Sequence, residues 1–369
     1  MFLIAWLLIF GFIGYGIYTL AKKSIVYVAS PLNPETDDRE DEDTDVDKND
    51  GVLKVAIKGN NLDTSRIIEY TGEVSPTFSW YPKTLKQFVG QEEAKEQANI
   101  ICEKMKRNIK SHLIISALQG SGKSTFIRLL ANKLDAHLIE RVGKQVDEDG
   151  IIDIINEINQ SKKDYVIFFL DEIDSADPKV IKILNPILQD FKINDKQIKP
   201  FIFGSATINK DILIKNNPDT LDRIPHHIQF KRYTIEELSL ILNQYVSQLY
   251  TNENIKAEDV RIISKNCKYN PRLALGILED YIITKSTTKT FKNRRIIKDG
   301  LTEIDVMILK VLNEADRAIG ANAVALRAGL TQKQYEREFE PFLYYEKYIN
   351  RTPSRVISEK GKNFLKEIE

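Results

Sequence analysis

HLIISALQGSGKSTFIRLL, His112 to Leu130, decides how the rest of the chain is read. The apolar run of Leu113, Ile114 and Ile115 predicts a buried strand, Gly120 and Gly122 mark a loop, and Lys123, Ser124 and Thr125 open a helix of apolar periodicity. Strand, glycine loop and helix in that order form the pattern of a phosphate-binding loop. Glycines let successive backbone N–H groups converge on an anion, at a helix N-terminus whose partial positive charge favours it. Gly120, Ser121, Gly122 and Thr125 are expected around the phosphates of ATP. Lys123 is expected to reach the β- and γ-phosphates, and the Ser124 hydroxyl to ligate Mg²⁺. The first glycine of the usual G-x-x-x-x-G-K-[ST] spacing is Ala117 here, so a chance GSGKS in an ordinary loop is the bland alternative, and other elements must decide.

Two such elements follow. YVIFFLDEID, Tyr165 to Asp174, is a buried strand pattern ending in adjacent carboxylates. At the C-terminal end of a strand Asp171 is placed to hold Mg²⁺ and Glu172 to polarise an attacking water; alone, the run is better read as an ordinary strand-end acidic pair, and its place downstream of GSGKS reverses that reading. PFIFGSATIN, Pro200 to Asn209, is another apolar strand delivering a polar tip, Thr207; alone, that tip is equally a strand-end threonine that turns the chain.

Composition bounds the remaining possibilities. At 369 residues, 42% hydrophobic and 29% charged, the chain has room for two or three domains. Cys102 and Cys267 lie outside any C-x-x-C spacing and read as reduced core thiols. His112, His137, His226 and His227 show no metal-ligand spacing, so no metal other than Mg²⁺ is implied. The zero net charge hides a partition, because residues 31–50 carry ten acids against Arg39 and Lys48. Such a segment cannot repay the entropy of folding and is expected to be a solvated tether.

Ahead of it, residues 2–20 carry no charge and are followed by Lys22 and Lys23. As a helix this stretch reaches about 28 Å, close to the ~30 Å hydrocarbon core. It reads as one transmembrane anchor; a cleaved signal peptide would place positive charge before the apolar run instead. The lysines put the body on the cytoplasmic side of a cell membrane as a single-pass protein. Residues 51–79 hold two short strand-like runs with no functional reading.

From Trp80 onward the chain resembles the RuvB family of AAA+ Holliday-junction motors. Pro82, Leu85, Val89, Gly90 and Gln91 match the strip that cups the adenine in that family, with Tyr81 standing where an Arg is usual. The resemblance implies that Thr207 senses the γ-phosphate or its attacking water. It implies that Arg223, in TLDRIPHHIQF, projects into a neighbouring subunit's ATP site, and that Arg272, in the Asn270-Pro271-Arg272 motif, reads the phosphates in cis. RTPSR, Arg351 to Arg355, resembles a DNA-contacting wing, which nominates Arg351 and Arg355. With it come a homo-oligomeric ring, a hexamer by family habit, and ATP and Mg²⁺ as cofactors.

The expected fold class is α/β: an AAA+ P-loop NTPase core with a parallel sheet, an all-α lid, a C-terminal winged helix and an N-terminal transmembrane helix. The boundaries are 1–23 for the anchor, 24–50 for the acidic linker, 51–79 for the small N-terminal element, 80–232 for the nucleotide-binding domain, 233–298 for the lid and 299–369 for the winged helix. The family's long hairpin, which docks its partner RuvA, is here reduced to DFKINDKQIKP, so docking of a RuvA-type partner is not expected. Residues 303–369 hold eleven acids and eleven bases, a weak footprint for nucleic acid. Two functions are therefore carried forward: a membrane-anchored ATP hydrolase that moves or remodels DNA, and a membrane-tethered ATP-dependent switch or protein remodeller whose winged helix docks a protein.

Overall fold

The computed structural model describes residues 80–193, 195–208, 218–315 and 317–368. The predicted anchor, the acidic tether and residues 51–79 lie outside them. Among the described residues no helix is long and apolar enough to cross a membrane.

A five-stranded sheet of order β2-β3-β6-β1-β7 forms the core of the first part, built from β1 (Leu113–Ser116), β2 (His137–Val142), β3 (Val166–Asp171), β6 (Ile202–Thr207) and β7 (His226–Gln229). Every pairing in it is parallel. Strand sequences apolar at successive positions suit such a sheet, since both faces are covered by helices. Ile114, Phe168, Leu170 and Phe203 pack to one side, with α3 (Glu148–Gln160) and α4 (Pro178–Asp190). Leu113, Ile115, Ile167, Phe169 and Ile202 pack to the other, with α1 (Glu92–Lys106) and α2 (Lys123–Leu134). The period-two alternation of a strand divides one apolar run between two cores. Both cysteines are buried free thiols, as their spacing implied. The interval after α4 forms only a short hairpin of β4 (Lys192–Ile193) and β5 (Lys196–Gln197).

His112 pins the base of this sheet. Its Nδ1 accepts a hydrogen bond from Phe203 N at 3.0 Å, while its Nε2 lies 3.0 Å from the Leu188 carbonyl and donates to it. The ring is fully buried against Phe191, Phe201 and Phe203. A second ring proton would point at the Phe203 N–H, and burial lowers the imidazole pKa from 6.5 to about 4. The folded state therefore favours the neutral ring, a contribution present above pH 6.5 and lost as pH falls towards 4. We expect unfolding free energy to drop by about 3 kcal/mol across that window on this account. Urea titrations at stepped pH should show a flatter profile for His112→Gln; parallel profiles would assign the loss to other groups.

A short helix, α5 (Pro218–Asp222), precedes β7, and four helices make the lid: α6 (Ile235–Leu249), α7 (Ala257–Lys265), α8 (Pro271–Thr284) and α9 (Thr287–Asn293). Thr234 and Glu237 form a reciprocal capping box that starts α6 where the chain leaves the sheet. The basic segment 285–298 is folded onto the lid. Ser286 caps α9, Thr290 is buried, Arg294 donates to Asp280 and to the Gly276 carbonyl, and a short antiparallel pair of β8 (Ile296–Lys298) and β9 (Leu301–Thr302) follows.

The last part is a winged helix: α10 (Glu303–Asn313), α11 (Ala321–Arg327), a third helical stretch through α12 (Gln332–Gln334), a π-helical turn (Tyr335–Phe339) and α13 (Glu340–Tyr345), then the wing β10 (Ile349–Thr352) and β11 (Ser354–Ile357) and the closing α14 (Glu359–Ile368). The buried Lys268–Asp305 ion pair ties it to the lid. The wing corrects one expectation. Arg351 and Arg355 are direct cross-strand partners, and two like charges so placed repel unless something lies between them. Glu340, 2% exposed, does so. Arg355 is 9% exposed and engages Glu340 through Nε and, at 3.1 Å, through a second nitrogen. Arg355 is therefore an internal ion-pair residue and does not present its guanidinium to DNA, whereas Arg351 remains largely exposed at 3.9 Å from the same carboxylate.

Candidate active site

The C-terminal ends of β1, β3 and β6 lie side by side, where the strand order reverses and open parallel sheets bind ligands. Ser116 stands opposite Thr207, and the next residue, Ala117, donates its N–H to the Thr207 carbonyl at 3.1 Å. Above these ends is a cavity of about 650 Å³, closed on its far side by lid residues from α6 and α8. Its size suits a ligand the size of a nucleotide.

The phosphate loop is held open by close approach. Gly120 has φ +76°, and a Cβ there would lie 2.6 Å from Asn270 Oδ1 and 3.0 Å from Arg272 Cβ. Asn270 explains the crowding: its Nδ2 donates to the Gln119 carbonyl at 2.7 Å while its Oδ1 caps α8 through the backbone N–H groups of Arg272 and Leu273. One side chain thus caps a lid helix and clasps the loop. Gly122 has φ +94°, and a Cβ there would press on Phe88 at 3.3 Å. Tyr233 secures the loop from the hinge, its buried hydroxyl donating to the Ser121 carbonyl at 3.0 Å.

Lys123 heads α2, and its Nζ donates to the Ala117 and Leu118 carbonyls at 2.9 and 3.0 Å. Burial holds this ammonium below its ordinary pKa; Arg272 lowers it further and Asp171 opposes the shift. The Ser124 hydroxyl donates to Asp171 Oδ2 at 3.0 Å. A hydroxyl and a carboxylate side by side are the hard oxygen donors Mg²⁺ takes, so the residues present fit that ion.

After β3 the chain turns abruptly at Glu172, which has φ 52°. A non-glycine residue in this region costs on the order of 1 kcal/mol, and such strain collects at functional sites. Its neighbours enforce the turn. Glu172 N donates to Asp171 Oδ1 at 2.9 Å, and Ser175 donates through both Oγ and N to the Glu172 carbonyl. Gly143 permits the approach, since a Cβ there would sit 2.5 Å from that carbonyl oxygen. Asp171 and Glu172 both line the cavity, as do Thr207, Arg272, Tyr81, Val89 and the loop residues 120–125.

Two expected residues act differently. Gly90 is a backbone position: it has φ +69°, and a Cβ would lie 2.5 Å from Glu237 Oε1. Arg223 stands apart from the cavity, its guanidinium on the Asp219 carbonyl and on Gln189 Oε1 at 3.3 Å. Three further residues gave less signal. The loop contacts of Asn270 and Tyr233 come from partners more than a hundred positions away. Asp174, which accepts from Thr207 Oγ1 at 3.0 Å, was announced only as the third carboxylate of its run.

This architecture is similar to that of known proteins. A family model described as "Holliday junction DNA helicase RuvB P-loop domain" matches residues 80–203, and one for the "RuvB C-terminal winged helix domain" matches residues 298–366. The RuvB subunit of the Holliday junction branch migration complex of Mycoplasma genitalium is 28% identical over 308 residues, covering 77% of this chain and 97% of the relative. The Thermotoga maritima counterpart is 26% identical over 316 residues, covering 77% and 91%. A solved structure of the Thermotoga maritima RuvB branch migration motor superposes with a TM-score of 0.68 at 26% identity, covering 77% of this chain and 97% of that one.

Proposed function

The chain belongs to the RuvB-like family of AAA+ ATP hydrolases, and on that premise we propose that it works as a ring oligomer, a hexamer by family habit, that uses ATP to move or remodel DNA. The observation that carries this reading is the convergence of Lys123, Ser124, Asp171, Glu172, Thr207 and Arg272 on one cavity, in a chain that also ends in a winged helix.

In the proposed mechanism the backbone of residues 120–125 and the Lys123 ammonium receive the phosphates of ATP. Ser124 and Asp171 would hold Mg²⁺, which when bound would supply positive charge against the phosphates. Glu172 orients a water and draws on its proton, Thr207 positions that water or the γ-phosphate, and Arg272 brings lid charge to the phosphates. Tyr81 and Val89 face the base. Arg223 acts on the site of an adjoining subunit. We place the body beneath a cell membrane, single-pass and cytoplasmic, on the strength of uncharged residues 2–20 followed by Lys22 and Lys23. A RuvA-type partner is left out of the proposal because the hairpin that would reach it is so short.

Two observations favour the alternative, a membrane-tethered switch or protein remodeller: Arg355 is buried on Glu340, and residues 303–369 carry no net positive charge. Steady-state ATP hydrolysis with linear, forked and four-way junction DNA separates the two. The motor predicts stimulation that weakens between ~50 and ~200 mM salt as phosphate contacts are screened. Hydrolysis indifferent to all three DNA forms at low salt would remove DNA as the substrate.

A further inference from the structure

We propose that Asp174 and Arg337 form a positioning pair through which the winged-helix domain sets the orientation of Thr207 in the ATP site. Thr207 is fully buried and donates its hydroxyl proton to Asp174 Oδ1 at 3.0 Å. The other oxygen, Oδ2, faces an Arg337 guanidinium nitrogen at 3.7 Å. Asp174 is only 8% exposed, so its charge is poorly screened, and it stands in a run with Asp171 and Glu172. Three carboxylates in four residues beside a site built for a polyanion need a counter-charge. Lys123 supplies part of it from the nucleotide-binding domain, and the ion pair that Asp174 makes among the described residues is with Arg337 of the winged helix.

Arg337 is well placed to carry domain position. It lies in the π-helical turn Tyr335–Phe339, whose Tyr335 is fully buried in the winged-helix core. Its backbone therefore moves with that domain. A second contact sets the same registration: Arg232, at the hinge between β7 and α6, stacks 3.4 Å from the Tyr269 ring centroid and pairs with Glu346 at the end of α13. The winged helix thus meets the nucleotide-binding part at the hinge and at the catalytic edge. With Arg337 in place, Asp174 presents Oδ1 to Thr207. When the domain shifts, Asp174 loses its ion-pair partner and is freed to rotate, and its hold on the Thr207 hydroxyl loosens. Neither Asp174 nor Arg337 touches the reacting atoms; both act through Thr207, so the inference rests on the role proposed for that residue.

The test is ATP hydrolysis by the full-length protein without DNA, which separates it from the question of the substrate. Arg337→Ala and Asp174→Asn are each expected to lower kcat about tenfold with KM for ATP little changed, because positioning of the attack is lost while phosphate binding is kept. The double variant should be no slower than Asp174→Asn alone, and Arg337→Lys, which keeps the charge at a contact that is not bidentate, should recover most of the rate. Additive losses, or an Arg337→Ala enzyme with parental kcat, would overturn the pair. Thr207→Val is the control: if it hydrolyses ATP normally the assigned role of Thr207 fails, whereas a slow Thr207→Val beside a normal Arg337→Ala rejects only the inference drawn here.

Discussion

Glu172→Gln is expected to bind ATP like the parent protein while hydrolysing it at least about 100-fold more slowly, the usual scale for loss of a positioned base. The substitution nearly keeps side-chain volume while removing the negative charge and with it the ability to take up a proton. The backbone arrangement that aims the residue is independent of its side chain. It is made by the Asp171 carboxylate on Glu172 N, the two Ser175 hydrogen bonds to the Glu172 carbonyl, and the room left by Gly143. In the proposed site nucleotide binding draws on other groups, Lys123, Ser124 and the loop amides, so affinity and turnover should separate. Equilibrium binding of a fluorescent ATP analogue alongside single-turnover hydrolysis makes the measurement. Parental turnover would remove Glu172 from the mechanism and leave its strained conformation unexplained.

Arg223→Ala is expected to reduce turnover by about 1,000-fold, the lower range for an arginine supplied in trans to a phosphoryl transfer. The fold motivates this in a particular way. Arg223 lies outside the cavity, and its guanidinium rests on two neutral acceptors, the Asp219 carbonyl and the Gln189 amide. Among the described residues no carboxylate pairs with it, so its full charge is available to an anion brought by another copy. Mixing Arg223→Ala with Lys123→Ala subunits should return part of the activity, because each mixed interface of one orientation holds an intact Lys123 site facing an intact Arg223. Two inactive parents that stay inactive when mixed would argue against a site shared between subunits.

The strands could be read from the chain because each is a local apolar run bounded by polar residues, and all three functional tips, Ser116 through Lys123, Asp171 with Glu172, and Thr207, follow such a run directly. That signal is local in sequence and survives without knowledge of the neighbours. The residues that tune the site behave otherwise. Gln91 clamps Lys231 by accepting from its N–H and donating to its carbonyl, at 2.8 and 2.7 Å, across 140 positions. Asn270 reaches Gln119 across 151. Neither residue type forecasts such a contact, because Gln and Asn satisfy themselves equally well in water. The folding of 285–298 is hidden in the sequence for a similar reason, since its basic residues carry no apolar pattern and Arg294 finds its acceptors on α8.

Arg351 and Arg355 mark the division most sharply. Sequence by itself determined that a wing lies there, through the likeness of RTPSR to a DNA-contacting wing, as it determined the phosphate loop, the carboxylate pair and the order of the domains' elements. Only the tertiary structure decided that Arg355 turns inward onto Glu340 while Arg351 stays exposed, and that Asp174 meets Arg337. Strand and helix formation are set by neighbours within a few residues, whereas the partner of a charge is set by whatever the packed core brings within a few ångströms, and no local pattern records that.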